Sequence, residues 1–303
     1  MYLFFFYNIK LSIFILYSFK LHYKMTQAIT TCLWFDGKAK EAAGFYKAVF
    51  NEVENISSNP MVEMITLYGR RFMLLNGGPG YPINPSISFF ISAQTEDEIN
   101  IIWEKLIENG QILMPLNTYP WSAKYGWCAD KYGVNWQLML GHESSCKVMP
   151  SLLFTGPNNG KAKEAIDFYC GIFNPSNIIA INTYEKGEAD TEGNIKYAQF
   201  ELNQLPFGAM DSSAPHQFTF NEGVSFVVTV DTQDEIDYYW DQLIINGAAA
   251  RCGWLKDKYG VSWQIVPSIL GKLMTNPATA PKATYAFLQM SKFIIADLEK
   301  AVI

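Results

Sequence analysis

Apolar and polar positions follow two periods along this chain, and the periods alternate in blocks. The run AITTCLWF (28–35) is short and β-rich, which predicts a strand. Over 38–50 the period lengthens: Ala39, Ala42, Ala43, Tyr46, Val49 and Phe50 fall on one helical face, with Asp36 and Gly37 ahead of it as cap and turn. MVEMITLY (61–68) and RRFMLLN (70–76) read as strands joined at Gly69, and the glycines and proline of 77–80 break the chain. The order restarts at SISFFIS (86–92), a strand. TEDEINIIWEKLIENG (95–110) follows as a helix with a buried stripe of Ile99, Ile102, Trp103 and Leu106. Thr95 stands at its N-cap with Glu98 three residues on, the spacing of a capping box, and Gly110 marks its end. Residues 111–116, 125–130 and 134–140 read as three further strands. The predicted unit is strand, helix and three strands, used twice.

The same pattern returns in the second half. DKYGVNWQ (130–137) recurs as DKYGVSWQ (257–264), and TEDEINIIWEKLIENG as TQDEIDYYWDQLIING (232–247). GKAKEA (37–42) recurs at 160–165, each time with Phe-Tyr three residues later. Three blocks in one order mark a duplicated domain, at a period too long for a solenoid. The expected division is an N-terminal segment (1–24) outside the pattern, two domains (25–145 and 146–270) each around its own core, and a C-terminal helical extension (271–303). That extension has no counterpart after the first copy; it packs on the second copy or on a partner. The second copy carries longer loops at Asn158-Asn159 and 185–194, whereas the first has an extra LNTYPWSAKYG before its last hairpin.

Composition narrows the function classes. The 303 residues are 49% hydrophobic and 17% charged, enough apolar material for two cores. A net charge of −6 with no basic stretch excludes nucleic acid as a natural partner. The cysteines at 32, 128, 146, 170 and 252 form no CxxC pair, which suits a reducing, cytoplasmic compartment. His22, His142 and His216 are the only histidines and none has another within helical reach, so histidine-rich metal chemistry is disfavoured; each is expected to be structural or solvated. In residues 1–24, Lys10 separates two apolar runs, each shorter than the roughly 20 residues of a membrane span, and no small-residue cleavage site follows. The expectation is an over-extended start with Met25 as the first residue and no membrane association; an anchor or signal is the alternative.

FDGKAKEAAGFY (35–46), ELNQLPFGAMD (201–211), FNEGVSFVV (220–228) and CGWLKDKYGVSWQIVP (252–267) resemble the PhnB-like branch of the vicinal-oxygen-chelate superfamily. That superfamily comprises glyoxalases, bleomycin-resistance proteins and dioxygenases, and the branch often carries the label 3-demethylubiquinone-9 3-methyltransferase. The resemblance runs from Thr26 to Pro267 through both copies and is closer in the second; the tail LQMSKFIIADLEKA (288–301) is similar too. The first copy departs at PLNTYPWSAKYGW (115–127). The resemblance implies an α+β fold of tandem glyoxalase-like domains. In each, two βαβββ units form a curled mixed β-sheet around a pocket, with helices outside.

In the metal-dependent members, four inward residues, typically His, Gln and Glu, hold a divalent ion. The matching motifs place these positions near Thr31, Leu75 or Asn76, Ser86 and Gln137 in the first copy. In the second copy they fall near Ser151 or Leu152, Met210 or Asp211, Val224 and Gln264. Neither set offers the imidazole or glutamate that such ions want, so no metal and no cofactor is expected. The glycine clusters NGGPG (76–80) and GPNNG (156–160) lack the βαβ context of a nucleotide-cofactor site, which leaves the methyltransferase label without residues to support it. Asp97-Glu98 and Asp234-Glu235 lie in first turns of helices, where they complement the dipole.

After the DKYG turn, alternation puts Val134, Trp136 and Leu138 on one side and Asn135, Gln137 and Met139 on the other. Trp136 and Trp263 read as core. Gln137 and Gln264, polar amid apolar strand residues, either satisfy backbone groups or face a pocket. With Trp127 and Trp254 as aromatic walls, and with Asn76 and Met210, they are the candidate ligand-pocket residues. Three readings stay open: a metal-free pocket for a small, partly aromatic molecule; a small-metabolite enzyme of the same superfamily; and a first domain that is degenerate and structural. The two domains are expected to form a pseudo-dimer with each other, or the chain a homodimer.

Overall fold

The computed structural model describes residues 29–141 and 147–303; residues 1–24, the candidate start Met25, His142 and Cys146 lie outside the described residues. Four strand–helix–three-strand units follow one another. The first comprises β1 (Ile29–Phe35), α1 (Ala39–Val49), β2 (Val53–Ser58), β3 (Val62–Leu67) and β4 (Arg70–Asn76). The second comprises β5 (Ile87–Ala93), α2 (Glu96–Ile107), β6 (Gln111–Tyr119), β7 (Ser122–Ala129) and β8 (Asn135–Leu140). The third comprises β9 (Val148–Thr155), α3 (Ala162–Ile172), β10 (Ser176–Thr183), β11 (Ile195–Leu202) and β12 (Leu205–Ser212). The fourth comprises β13 (Val224–Val230), α4 (Gln233–Leu243), β14 (Ala248–Ala249), β15 (Trp254–Lys256) and β16 (Ser262–Pro267). Three short helices close the chain: α5 (Ser268–Thr275), α6 (Ala280–Phe287) and α7 (Ile295–Val302). Strand β2 is absent from the sequence expectation because VENISS is nearly all exposed and shows no buried alternation.

The fold class is the expected α+β arrangement, but the units combine differently. One sheet has the order β14-β15-β16-β13-β1-β4-β3-β2, the other β10-β11-β12-β9-β5-β8-β7-β6. Each sheet therefore takes one unit from each copy, where the sequence reading drew each sheet from the two units of one copy. The seams are antiparallel: Ile29–Leu33 against Val224–Val228, and Ile87–Ile91 against Val148–Leu152. Segments 77–86 and 213–223 cross between the sheets and bind each other, Asn221 Nδ2 donating to Pro82 O (2.9 Å) and Asn84 Nδ2 to Thr219 O (3.0 Å). The core differs too. The helix-facing sides of both sheets share one continuous apolar cluster, with Phe72 against Phe89 (5.3 Å between ring centres) and Phe207 against Phe226 (5.2 Å).

The repeated blocks recur together because they touch. Asp130 Oδ1 accepts from the backbone N–H of Tyr132 (2.9 Å) and Val134 (3.0 Å), closing the hairpin turn in which Gly133 supplies the positive φ. Its Oδ2 accepts from Trp136 Nε1 (2.9 Å) and from the Tyr46 hydroxyl of α1 (3.0 Å). Asp257 repeats all four contacts with Tyr259 and Val261 backbone (2.9 and 3.1 Å), Trp263 (2.9 Å) and Tyr169 of α3 (2.7 Å). Each clasp joins the helix of one sheet to the hairpin of the other. Outside it, Glu41 accepts from the Tyr132 hydroxyl (2.7 Å), and Glu164 from Tyr259 (3.0 Å) and Lys258 (2.7 Å). GKAKEAxxFY and DKYG are thus two sides of one contact, and Trp136 and Trp263 are core residues as expected.

Several caps refine the reading. Thr95 caps α2 through Glu98 N (3.1 Å), while the Glu98 carboxylate accepts from Gln94 N; the complete capping box occurs at Thr232 and Glu235. Asp36 does not cap α1: Asn76 Oδ1 takes the Ala39 N–H instead (2.9 Å). At Gly110 the positive φ belongs to Asn109; the glycine is required because a Cβ there would lie 2.4 Å from Ala129 O.

The C-terminal extension packs on the second copy. Cys252 N donates to Met290 O and Gly253 N to Ser291 O (both 2.7 Å), and Phe293 is buried against Gly253. It stands where β14 and β15 are short, whereas the corresponding β6–β7 hairpin of the first copy is longer. Phe293→Ala is expected to cost about 3 kcal/mol, seen as a lower thermal midpoint with the secondary structure retained. Among the described residues no helix is long and apolar enough to cross a membrane.

Candidate functional site

Each sheet curls around the face turned away from the core. Strands in a flat sheet lie about 4.8 Å apart, so rings three strands away would be about 14 Å apart. Yet Phe90 on β5 and Tyr197 on β11 have ring centres 6.2 Å apart, and Trp34 on β1 and Trp254 on β15 5.8 Å. Alternation decides what lines these concave faces. In the β5–β12 sheet, Ser88, Phe90, Gln137, Trp127, Tyr125, Ser151, Gly208 and Met210 face inward, whereas Phe89, Trp136, Leu152 and Ala209 face the core. In the other sheet Cys32, Trp34, Met73, Ser225, Gln264 and Trp254 face inward.

The floor of the β5–β12 sheet carries a hydrogen-bonded chain. The Tyr125 hydroxyl donates to Gln137 Oε1 (2.5 Å), and Gln137 Nε2 donates to Ser88 Oγ (2.6 Å). Burial pushes the Tyr125 phenol well above its usual range, so it stays protonated and donates. Gln137 is 0% exposed, and the register partner of Ser88, Ser151, is equally buried with no hydrogen-bond partner for its Oγ. Trp127 pairs in register with Gln137, and its indole N–H donates to Asn135 Oδ1 (3.3 Å). Tyr119 and Trp121 extend the aromatic wall outward, stacked at 5.0 Å, with Trp121 60% exposed at the tip of the first copy's longer hairpin.

The other sheet repeats the wiring with different ends. Gln264 Nε2 donates to Ser225 Oγ (3.0 Å). Cys32 stands in the place of Ser151, hydrogen-bonded to Gln264 and Ser225, and burial raises its thiol to about 11. It is therefore a thiol near neutral pH and no nucleophile. Trp34 donates its indole N–H to Gly78 O (2.7 Å), and a Cβ on Gly77 would enter the Trp34 ring at 2.2 Å, which fixes that turn as glycine.

Of the six sequence candidates, Gln137, Trp127, Gln264, Trp254 and Met210 lie on concave faces. They group across the copies: Gln137 and Trp127 share a site with Met210, and Gln264 and Trp254 one with Cys32 and Met73. Asn76 is on the core side; besides holding α1 it donates from Nδ2 to Pro60 O (2.9 Å). Its counterpart Asp211 holds the N–H groups of Gly160 (2.8 Å) and Ala162 (3.1 Å), so the helix start after GPNNG is already occupied by a carboxylate. Thr31, Leu152 and Val224 also face the core. Ser88, Ser225, Cys32 and Tyr125 escaped the sequence reading. Carrying the Gln137 and Gln264 alternation across to the partner strand would have found the two serines. His216, expected to be structural or solvated, pairs through Nε2 with Ser212 Oγ (2.8 Å) in a local turn.

Serine, cysteine thiol, amide and thioether side chains do not suit the hard or borderline divalent ion of the metal-dependent relatives. Among the described residues no group of three or more His, Cys, Asp or Glu is placed to hold one.

The family model described as 3-demethylubiquinone-9 3-methyltransferase matches residues 27–139 and again 146–266. The chain belongs to this family. The chain is similar to a PhnB protein from Bacillus cereus. Its structure is 40% identical over 38% of this chain and 100% of its own, with a TM-score of 0.36. Glyoxalase I from Zea mays is similar over 83% of this chain and 95% of its own, at 11% identity and a TM-score of 0.55, a likeness of fold alone. No curated protein matches. The chain therefore carries two copies of this family's sequence pattern, on a glyoxalase-like fold.

Proposed function

We propose that the chain binds small, partly aromatic molecules without a metal, at two composite sites, one in the concave face of each sheet. The observation that carries this reading is the shared floor. In both sheets a buried glutamine amide is fixed by a serine hydroxyl, leaving neutral polar groups beneath an aromatic wall. Buried polar groups are normally satisfied, and Ser151 and Ser262 retain hydroxyls without a partner, as a ligand-facing surface would. Because each site draws on both copies, degeneracy of the first copy would disable both sites and not one.

Thermal-shift screening against metabolites and antibiotics tests this. Gln137→Ala is expected to abolish the shifts of one class of compound and Gln264→Ala those of another, each leaving its partner site responsive. Elemental analysis complements it: a stoichiometric metal in protein purified without added ions would overturn the metal-free reading.

A further inference from the structure

Each sheet ends in two edge strands, and three of these edges are blunted against pairing with another chain. Strand β14 is two residues long, β6 carries Pro115 in mid-strand, and β2 carries Glu54. Strand β10 has none of these devices. Its sequence SNIIAINT (Ser176–Thr183) holds neither a charge nor a proline. Ile178 is 39% and Ile179 49% exposed, and among the described residues no strand pairs with its outer side. A bulge interrupts its pairing with β11 at Ile179. Bulges ordinarily discourage edge pairing, but this one also sets which residues share a face. About the point between Ile179 and Ala180 the strand is its own chemical complement: read in opposite directions, Ser176 meets Thr183, Asn177 meets Asn182, and Ile178 meets Ile181. Two-fold pairing needs both members of each couple on one face of the sheet. In a regular strand, residues an odd number apart take opposite faces. The bulge removes that conflict. Ile178 and Ile181 lie beside Phe200 and Ala198 on the core side, and Asn177 and Asn182 beside Glu201 and Tyr197 on the concave side. Strand β2, also bulged, does not match itself: the equivalent pairing sets Val53 against Ser58 and Glu54 against Ser57.

We propose that β10 is the docking edge for a second copy of this chain, β10 running antiparallel to β10 across a two-fold axis so that the two sheets join edge to edge. Isoleucine then meets isoleucine on the core side, asparagine amides meet on the concave side, and no charge on either strand faces a like charge. A surface that complements itself in this way is what a symmetric dimer requires. The proposal is independent of the small-molecule reading above.

Size-exclusion chromatography with light scattering on the full chain makes the test. A single strand pair is a small interface, so the protein is loaded at about 100 μM. The expected mass is twice the 34.4 kDa of one chain. Ile179→Lys, which sets two lysines beside the axis, should return it to the mass of one chain. Ile179 is exposed and has no register partner on β11, so the circular dichroism of that variant should match wild type. Ile56→Lys, the equivalent change on β2, should leave the doubled mass in place. The register has its own readout: Ile179→Lys mixed with Ala180→Glu should recover dimers, because lysine then faces glutamate, whereas Ile179→Lys mixed with Thr183→Glu should not. A wild-type chain with the mass of one copy overturns the proposal without any variant, and leaves the edge to a strand from another protein. Dimers that survive Ile179→Lys, or that Ile56→Lys abolishes, overturn it as well.

Discussion

Asp257→Ala is expected to lower the thermal midpoint by roughly 10 °C. The carboxylate closes the hairpin through two backbone N–H groups and ties it to Trp263 and to Tyr169 of α3, so alanine leaves four buried donors without an acceptor. Each such loss costs about 1–3 kcal/mol, and partial rescue by water and relaxation leaves a net of about 3–5 kcal/mol. Asp130→Ala should act alike in the first copy, and a midpoint within about 2 °C of wild type would show that the clasp is not what joins hairpin to helix. The pH dependence has a definite sign. Burial raises the Asp257 carboxyl above its usual value and outweighs its four donors. Its contribution is therefore complete below about pH 4 and declines as pH rises through the folded value. Chemical denaturation of wild type and Asp257→Asn between about pH 4 and 7 should show the wild-type advantage shrinking as pH rises.

Separating the copies is expected to destroy the fold of each as a monomer. Residues 29–141 alone would lose the β13 partner of β1 and the β9 partner of β5, and would expose the core faces that the other copy covers. That loss exceeds the whole stability margin of an ordinary domain, about 5–15 kcal/mol. Size-exclusion chromatography with light scattering and circular dichroism should find the fragment unfolded or paired with itself, since its free strands are equivalent to the missing ones. Mixing it with residues 147–303 should restore one-to-one particles. A folded, monomeric 29–141 would contradict the interleaved sheets.

The periodicity located the repeated helices and most strands because their apolar stripes are continuous. It missed β2, an exposed edge strand whose side chains carry no burial signal. The site was half legible. Gln137 and Gln264 stood out because an amide in an apolar strand demands partners. Ser88 and Ser225 did not, since a serine in a strand looks the same whichever way it faces. Asn76 misled because an asparagine at a strand end looks equally suited to a pocket or to a helix start, and only the approach of α1 distinguishes them.

What the sequence determined by itself is the duplication, the four units and the DKYGVxWQ hairpin with its glutamine on the face opposite the core tryptophan, all consequences of local period and turn chemistry. Tertiary structure alone decided which units share a sheet, and hence that each site is composite. Strand alternation fixes which face a residue takes, but β1 pairs equally well in principle with β5 or with β13, because the two are near-copies. That choice rests on crossover segments 77–86 and 213–223 and on the Asp130 and Asp257 clasps, contacts between residues far apart in the chain.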